Sequence, residues 1–231
     1  MAKSKASGFA RLRGKLVETS TGIKAKIAKD IEKRADIRRM FIDELGFKEV
    51  FGTNNIPSAQ LGAIAIELKK HEAKTHTLRD NSVVLSTLNE RGTKGAATDM
   101  GGGKMVLFIN PSYHTSVSGA RSILRTEQKS GFKTKTNGSV TKDFTYTARH
   151  EYGHLTQFSI TNKTGKEAAQ IRDEVRAIAA KRYGATKSLN PSGYGGYNKY
   201  EYFSESYASM TGGRPNAHGK ALKAWMKENG L

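Results

Sequence analysis

His150, Glu151 and His154 have the residue types and spacing of a hydrolytic metal site. On a helix, side chains four residues apart lie on one face about a turn apart, so both imidazoles could reach a single metal ion. Glu151 is offset from that pair, where a carboxylate can hold a water molecule and accept its proton. The pattern H-E-x-x-H therefore predicts Zn²⁺-assisted hydrolysis.

This pattern is short, so a helix that merely exposes two histidines and a glutamate is the alternative interpretation. Apolar residues flank the segment at Phe144, Leu155 and Phe158 and favour a buried helix. Catalytic zinc takes three protein ligands and keeps one position open for water. A third ligand would therefore decide between the two interpretations.

The third ligand has to come from elsewhere in the chain. The longer pattern with a third histidine six residues after the second is absent, because Ile160 stands there. A downstream carboxylate is favoured, since Glu201 and Glu205 lie four residues apart on a predicted helix. Two buried carboxylates repel each other unless a cation or a histidine lies between them, which favours a role at the metal site. The alternative interpretation is that both glutamates lie on a solvated helix face. The remaining histidines are His71, His76, His114 and His218.

The order of these motifs resembles the catalytic domain of anthrax toxin lethal factor and its relatives, which include domains of phage head and virion proteins. The resemblance covers mainly residues 144–210 and rests on H-E-Y-G-H and, further along, S-G-Y-G-G-Y-N-K-Y-E-Y-F-S-E-S-Y-A. It implies a gluzincin with an α+β zincin-like fold, a small mixed sheet and an active-site helix that carries H-E-x-x-H.

The resemblance also implies a role for each matching residue. His150, His154 and Glu201 correspond to the zinc ligands, and Glu151 corresponds to the general base. Glu205 corresponds to a residue that orients a ligand or the base, and Tyr194 to a tyrosine that stabilises the oxyanion or protonates the leaving amine. The chain departs from the family at Tyr202 and Ser204, where Phe and Ala are usual, which affects packing more than chemistry. Tyr194 could equally be a packing anchor in its Gly/Tyr-rich loop.

Charge is the second feature of the sequence. The 231 residues include 39 Lys/Arg and 21 Asp/Glu, a net charge of +18. Residues 1–50 carry a surplus of 6 and residues 101–150 another 6, most of it between Arg121 and Lys142, whereas residues 51–100 are nearly neutral. We expect a nucleic acid or another polyanion as a partner, through a basic arm and a basic 121–142 loop, with solvated segments as the alternative. The absence of cysteine excludes disulfides and thiol-ligated metals.

The remaining pattern predicts the elements that position the motifs. Residues 1–20 are expected to form a flexible arm, followed by a helix from Ile23 to Leu45, in a basic N-terminal segment (1–50) before a zincin-like domain (51–231). A helix from Pro57, strands at 82–86 and 104–110, and a long loop over 112–141 with one helical turn near Ala120–Leu124 come next. Four helices follow, near 142–160, 166–183, 199–210 and 217–229. The strand at 104–110 is either a substrate-pairing sheet edge or an ordinary core strand.

The sequence thus favours a zinc metalloendopeptidase that acts on a protein or peptide. The alternative is a basic virion or nucleic-acid-associated protein whose zincin-like domain is structural. With no apolar leader or long apolar stretch, we expect no membrane span and a cytoplasmic protein that could be packaged in a virion.

Overall fold

The computed structural model describes residues 16–19, 22–25, 34–88, 92–186 and 188–231. Within them the fold is α+β, as predicted. The strands are β1 (Leu16–Thr19), β2 (Gly22–Ala25), β3 (Glu49–Phe51), β4 (Ser82–Ser86), β5 (Gly95–Asp99) and β6 (Lys104–Ile109). The α-helices are α1 (Arg34–Arg39), α2 (Ser58–Thr75), α3 (Thr77–Asp80), α4 (Val117–Lys129), α5 (Val140–Phe144), α6 (Tyr146–Thr164), α7 (Ala168–Tyr183), α8 (Lys199–Thr211) and α9 (Ala217–Glu228).

Four strands form a small mixed sheet in the order β3-β4-β6-β5. The first three are parallel, whereas β5 runs antiparallel to β6 and places Ala97 opposite Leu107. Alternate residues of β4, Val83 and Leu85, are fully buried. The predicted strand at 104–110 is confirmed as β6. It is an internal strand, so of the two interpretations the ordinary core strand is confirmed and the substrate-pairing edge is wrong.

The free edge next to β6 belongs to β5, which the sequence analysis missed. Its residues G-A-A-T-D show no apolar alternation and are half-buried or exposed. A turn over Gly101–Gly103 joins β5 to β6, and all three glycines have positive φ, a conformation that side chains disfavour. The turn chemistry in the sequence was therefore the available signal for a hairpin here.

Helix α2 buries one apolar face in the hydrophobic core. Leu61, Ile64, Ala65 and Leu68 are at most 1% exposed, which confirms the predicted face. Helix α6 packs against α2 on one side and against β5 and β6 on another. The H-E-x-x-H motif therefore lies on a helix held between the sheet and the helical half of the protein, where α6 contacts α8 and α7 contacts α9.

The N-terminal predictions are corrected in two places. Residues 16–19 and 22–25 form an antiparallel hairpin, so the flexible arm does not include 16–19 and the helix does not start at Ile23. The β-branched residues Val17, Thr19 and Ile23 favour strands over helices. Residues 1–15, 20–21 and 26–33 lie outside the described part of the chain. Helix α1 continues as a π-helical turn over Met40–Glu44. Strand β3 (Glu49–Phe51) spans residue 50, where the sequence predicted the end of the N-terminal segment.

The predicted loop over 112–141 is also wrong, because residues 117–129 form helix α4. Ser116 begins this helix by accepting a hydrogen bond from the Gly119 backbone N–H. Val117, Ala120 and Leu124 recur at helical spacing, but the segment is otherwise polar, basic and rich in Gly, Ser and Thr, so the sequence predicted only one helical turn there. The four helices predicted after this segment are confirmed as α6 to α9. No helix in the described ranges has the length and apolar content needed to cross a membrane.

Candidate metal centre

Helix α6 holds the two histidines and Glu151 on a rigid element. It ends at Gly165, whose positive φ and N–H bond to the Thr161 carbonyl close the last turn. His150, Glu151 and His154 are all buried, at 3%, 7% and 7% exposure. One potential ligand atom from each lies within 4.8 Å of the others. The spacing in the sequence therefore becomes a compact cluster on this helix.

Glu201 completes this cluster from helix α8. The Asn198 side chain accepts hydrogen bonds from the backbone N–H groups of Tyr200 and Glu201, which begins α8 and fixes Glu201 in its first turn. Glu201 Oε2 lies 3.0 Å from His150 Nε2 and 3.5 Å from His154 Nε2. The structure thus brings together the three residues predicted as ligands.

Gly153, between the two histidines, allows α6 and α8 to approach each other closely. A Cβ atom at this position would lie 3.0 Å from the Cβ of Tyr207 and 3.1 Å from the Cα of Ser204. A Cβ atom at such distances would require the backbone of α8 to move away, because Ser204 lies within that helix and is fully buried. The small residue in H-E-Y-G-H thus sets the distance between Glu201 and the histidines.

We therefore expect Gly153→Ala to destabilise the protein by about 1–3 kcal/mol, as overpacking does in a dense core. The higher helix propensity of alanine would offset only about 1 kcal/mol of that loss. Urea unfolding measures the change, and Gly119→Ala in α4 is the matched control, because its nearest neighbour is the side chain of Ser116. Equal stability changes in the two variants would contradict the close approach as the cause.

Glu205 lies one turn beyond Glu201 and is fully buried. Its carboxylate accepts hydrogen bonds from the Tyr146 hydroxyl at 2.8 Å, the Ser192 hydroxyl at 2.7 Å and the Thr134 backbone N–H at 2.9 Å. Its Oε1 also lies 3.0 Å from His150 Nδ1. Glu205 is therefore placed to fix the orientation of the His150 ring while Nε2 faces Glu201.

Charges in this cluster are strongly coupled. Burial and the charge of Lys133 lower the pKa of His150, but Glu201 and Glu205 outweigh them and raise it to about 9. Burial raises the pKa of Glu205, but His150 and Lys133 outweigh it and lower the pKa to about 2. The pKa of Glu201 is likewise lowered below its usual value, because His150 and His154 outweigh burial. Glu201 and Glu205 therefore stabilise a positive charge at the histidines.

Tyr194 lies at the edge of the same cluster. Its hydroxyl donates to Glu201 Oε1 at 3.1 Å, and its backbone N–H donates to the Phe132 carbonyl at 2.9 Å. Burial and the charge of Glu201 raise the pKa of its phenol above the usual value, so the hydroxyl keeps its proton. The tyrosine can therefore act as a hydrogen-bond donor beside the histidines, as its position in the motif predicts.

Lys133 is a member of the site that the sequence analysis missed. Its Nζ lies 3.3 Å from Glu205 Oε1 and 3.5 Å from the centre of the Tyr194 ring. Tyr146, Thr134 and Ser192, the hydrogen-bond donors to Glu205, were missed as well. Their residue types are common. The packing of segment 131–134 against 192–194 brings Thr134 and Ser192 to Glu205, and the packing of α6 against α8 brings Tyr146 there. No pattern in the sequence marked them.

A cavity of about 280 Å³ opens beside the motif. His150, Glu151 and Tyr194 line it on one side, and residues of α4 line it on another. The Glu151 carboxylate makes no hydrogen bond or ion pair within the described residues, so its oxygens are available to a molecule in the cavity. His114 also lines the cavity, whereas His71 and His218 contact Glu67 and Tyr202 elsewhere.

Comparisons with protein-family models, with curated proteins and with solved structures give no match for this chain. The function of this protein is therefore inferred from the chemistry of the site.

Proposed function

We propose that this protein is a zinc-dependent metalloendopeptidase. One observation carries the proposal. The Oε2 atom of Glu201 is buried without a hydrogen bond, yet it faces the Nε2 atoms of His150 and His154 at 3.0 and 3.5 Å. A buried carboxylate oxygen without a partner is costly, and a cation shared with two imidazoles would stabilise it. Two histidines and a carboxylate are a donor set typical of catalytic zinc.

In this proposal His150, His154 and Glu201 hold Zn²⁺, and Glu205 orients His150. When bound, zinc polarises a carbonyl and lowers the pKa of a coordinated water to about 7. Glu151 would hold the attacking water from the cavity side, accept its proton and pass that proton to the nitrogen of the leaving amine as the C–N bond breaks. The Tyr194 hydroxyl donates a hydrogen bond to the oxygen that gains negative charge at the scissile carbon. Lys133 holds Glu205 and the Tyr194 ring in place.

The edge strand β5 provides a route for the substrate. Gly95 lies so close to the motif that a Cβ there would be 2.9 Å from Glu151 Cγ. An extended peptide that pairs with β5 would pass directly beside the general base. This placement supports a zincin-like arrangement and an endopeptidase, because an open strand edge accepts chain on both sides of the scissile bond. We therefore propose that the substrate pairs with β5 and not with the strand at 104–110.

The alternative, a zincin-like domain with only a structural role, is less well supported. A structural zinc site is closed by its protein ligands, whereas Glu151 faces a cavity with its carboxylate unpaired. Packaging in a virion stays a prediction from the family resemblance.

Zinc content tests the metal centre directly. We expect about one zinc per chain by elemental analysis of the untagged protein. Glu201→Ala should weaken zinc binding by more than the roughly 10–100-fold that is typical when a residue outside the ligand set is lost. The control Glu228→Ala removes an exposed carboxylate at the end of α9 and should retain full zinc. Absence of zinc from the wild-type protein after reconstitution would contradict the proposal.

A further inference from the structure

Helix α4 has two different faces. Ala120, Ile123, Leu124 and Glu127 line the cavity beside Glu151. The other face forms a shallow groove and carries a row of cations and a row of hydroxyls. The groove is lined by Arg121, Arg125 and Lys129 together with Ser118, Ser122 and Thr126.

The spacing of the groove residues is regular. Arg121, Arg125 and Lys129 are each four residues apart, so they follow one line along the helix over about 12 Å. The hydroxyl residues repeat at the same interval three positions earlier, which places them beside the cations. A strand of duplex DNA has one phosphate per roughly 3.4 Å of axis, so the row spans about three to four phosphates.

Asp143 holds the two arginines in position without using their terminal nitrogens. Its carboxylate is 1% exposed and accepts from Arg121 Nε at 3.3 Å and from Arg125 Nε at 3.2 Å. The terminal nitrogens of Arg121 make no hydrogen bond within the described residues, and Arg125 Nη2 reaches only the Gly138 carbonyl, at 3.5 Å. Two guanidinium groups are thus oriented with donors still available for phosphate oxygens.

The net charge of this face is positive. Glu127 is the only acidic residue of α4, and it is paired with Lys94 on the cavity side. One buried carboxylate, Asp143, therefore balances two arginines, and Lys129 adds an exposed cation. Membrane-surface helices need an exposed apolar face. Val117 and Leu124 of α4 lie inside the protein, and Ile123, at 40% exposure, is its one exposed large apolar residue, so α4 lacks the continuous apolar face that a lipid surface requires.

We propose that the groove of α4 binds the sugar-phosphate backbone of a nucleic acid, independently of base sequence. Arginine, lysine and serine or threonine hydroxyls are the side chains that proteins use for phosphate contacts. The bound strand would lie along the helix that walls the candidate active site. This binding does not depend on the proposed peptidase activity.

Fluorescence anisotropy of the full chain with a labelled 20-base-pair duplex of mixed sequence tests this inference. The test variant, Arg125→Gln with Lys129→Gln, leaves the Arg121–Asp143 pair intact. The matched control, Lys223→Gln with Lys227→Gln, removes two exposed charges from helix α9. We expect the α4 variant to bind about 10-fold or more weakly. Its plot of log affinity against log salt should lose about two units of slope, while the control stays near wild type.

A second variant, Ser122→Glu, places a negative charge in the groove without touching Asp143 and should weaken binding in the same direction. Circular dichroism melts establish that each variant is folded. Equal losses in the α4 and α9 variants would overturn the inference, since bulk charge would then explain the binding. It would also fail if both α4 variants bound like wild type, or if the wild type bound vesicles rich in phosphatidylserine but no duplex.

Discussion

Glu151→Gln is expected to slow peptide hydrolysis by about 10²- to 10⁴-fold while zinc content stays at the wild-type level. Glutamine keeps the size of the side chain but cannot accept a proton from the attacking water. Glu201 Oε2 lies 3.0 and 3.5 Å from the Nε2 atoms of His150 and His154 and supplies the third ligand, so the metal centre should persist without the Glu151 charge. Turnover of a quenched fluorescent peptide library, beside elemental analysis of the same preparation, measures both quantities.

Glu127→Gln is the matched control, because Glu127 lines the same cavity and is paired with Lys94. We expect it to retain zinc and to lose far less activity than the Glu151 variant. Loss of zinc in Glu151→Gln would instead identify Glu151 as a ligand, and unchanged turnover would remove its role as the base. With either result, the zinc content of Glu201→Ala would still show whether Glu201 binds the metal.

Glu67→Ala is expected to destabilise the protein by about 3–5 kcal/mol, the typical loss when one partner of a buried ion pair is removed. Glu67 is fully buried on α2, where it accepts a hydrogen bond from Lys142. Its Oε1 also lies 3.5 Å from His71 Nε2 and 4.0 Å from Arg149 Nε. Arg149 is itself fully buried, directly before the first histidine of the motif. Burial lowers the pKa of His71, so removing Glu67 would leave two cations, Lys142 and the buried Arg149, without this counter-charge.

Urea unfolding at neutral pH measures this loss. Asp80→Ala serves as the control, because Asp80 pairs with Lys163 at the surface, where such pairs contribute about 0–1 kcal/mol. A change below about 1 kcal/mol for Glu67→Ala would mean that other groups already neutralise Arg149. The backbone carbonyls of Lys142 and Ala208, which accept from its terminal nitrogens, would then account for its burial.

The central part of the site follows from local sequence. Four-residue spacing on a helix is enough to place His150 and His154 on one face, and the same rule puts Glu201 and Glu205 on one face of α8. The apolar periods of α2, β4 and β6 likewise predicted these elements, because burial selects one face of a helix or alternate residues of a strand. Local rules failed at β5, which has no apolar alternation, and at α4, where a polar and basic composition concealed the helical spacing of Val117, Ala120 and Leu124.

By itself, the sequence determined which residues could form a metal centre and which helices carry them. Only the tertiary structure decided that α6 and α8 meet at Gly153 and that Lys133 and Tyr146 reach Glu205. It also decided that β5, and not β6, is an edge strand of the sheet. The physical reason is the range of the interactions. Helical spacing involves neighbours within a few residues, whereas Lys133 and Glu205 are 72 residues apart in the chain and meet only when the core has packed.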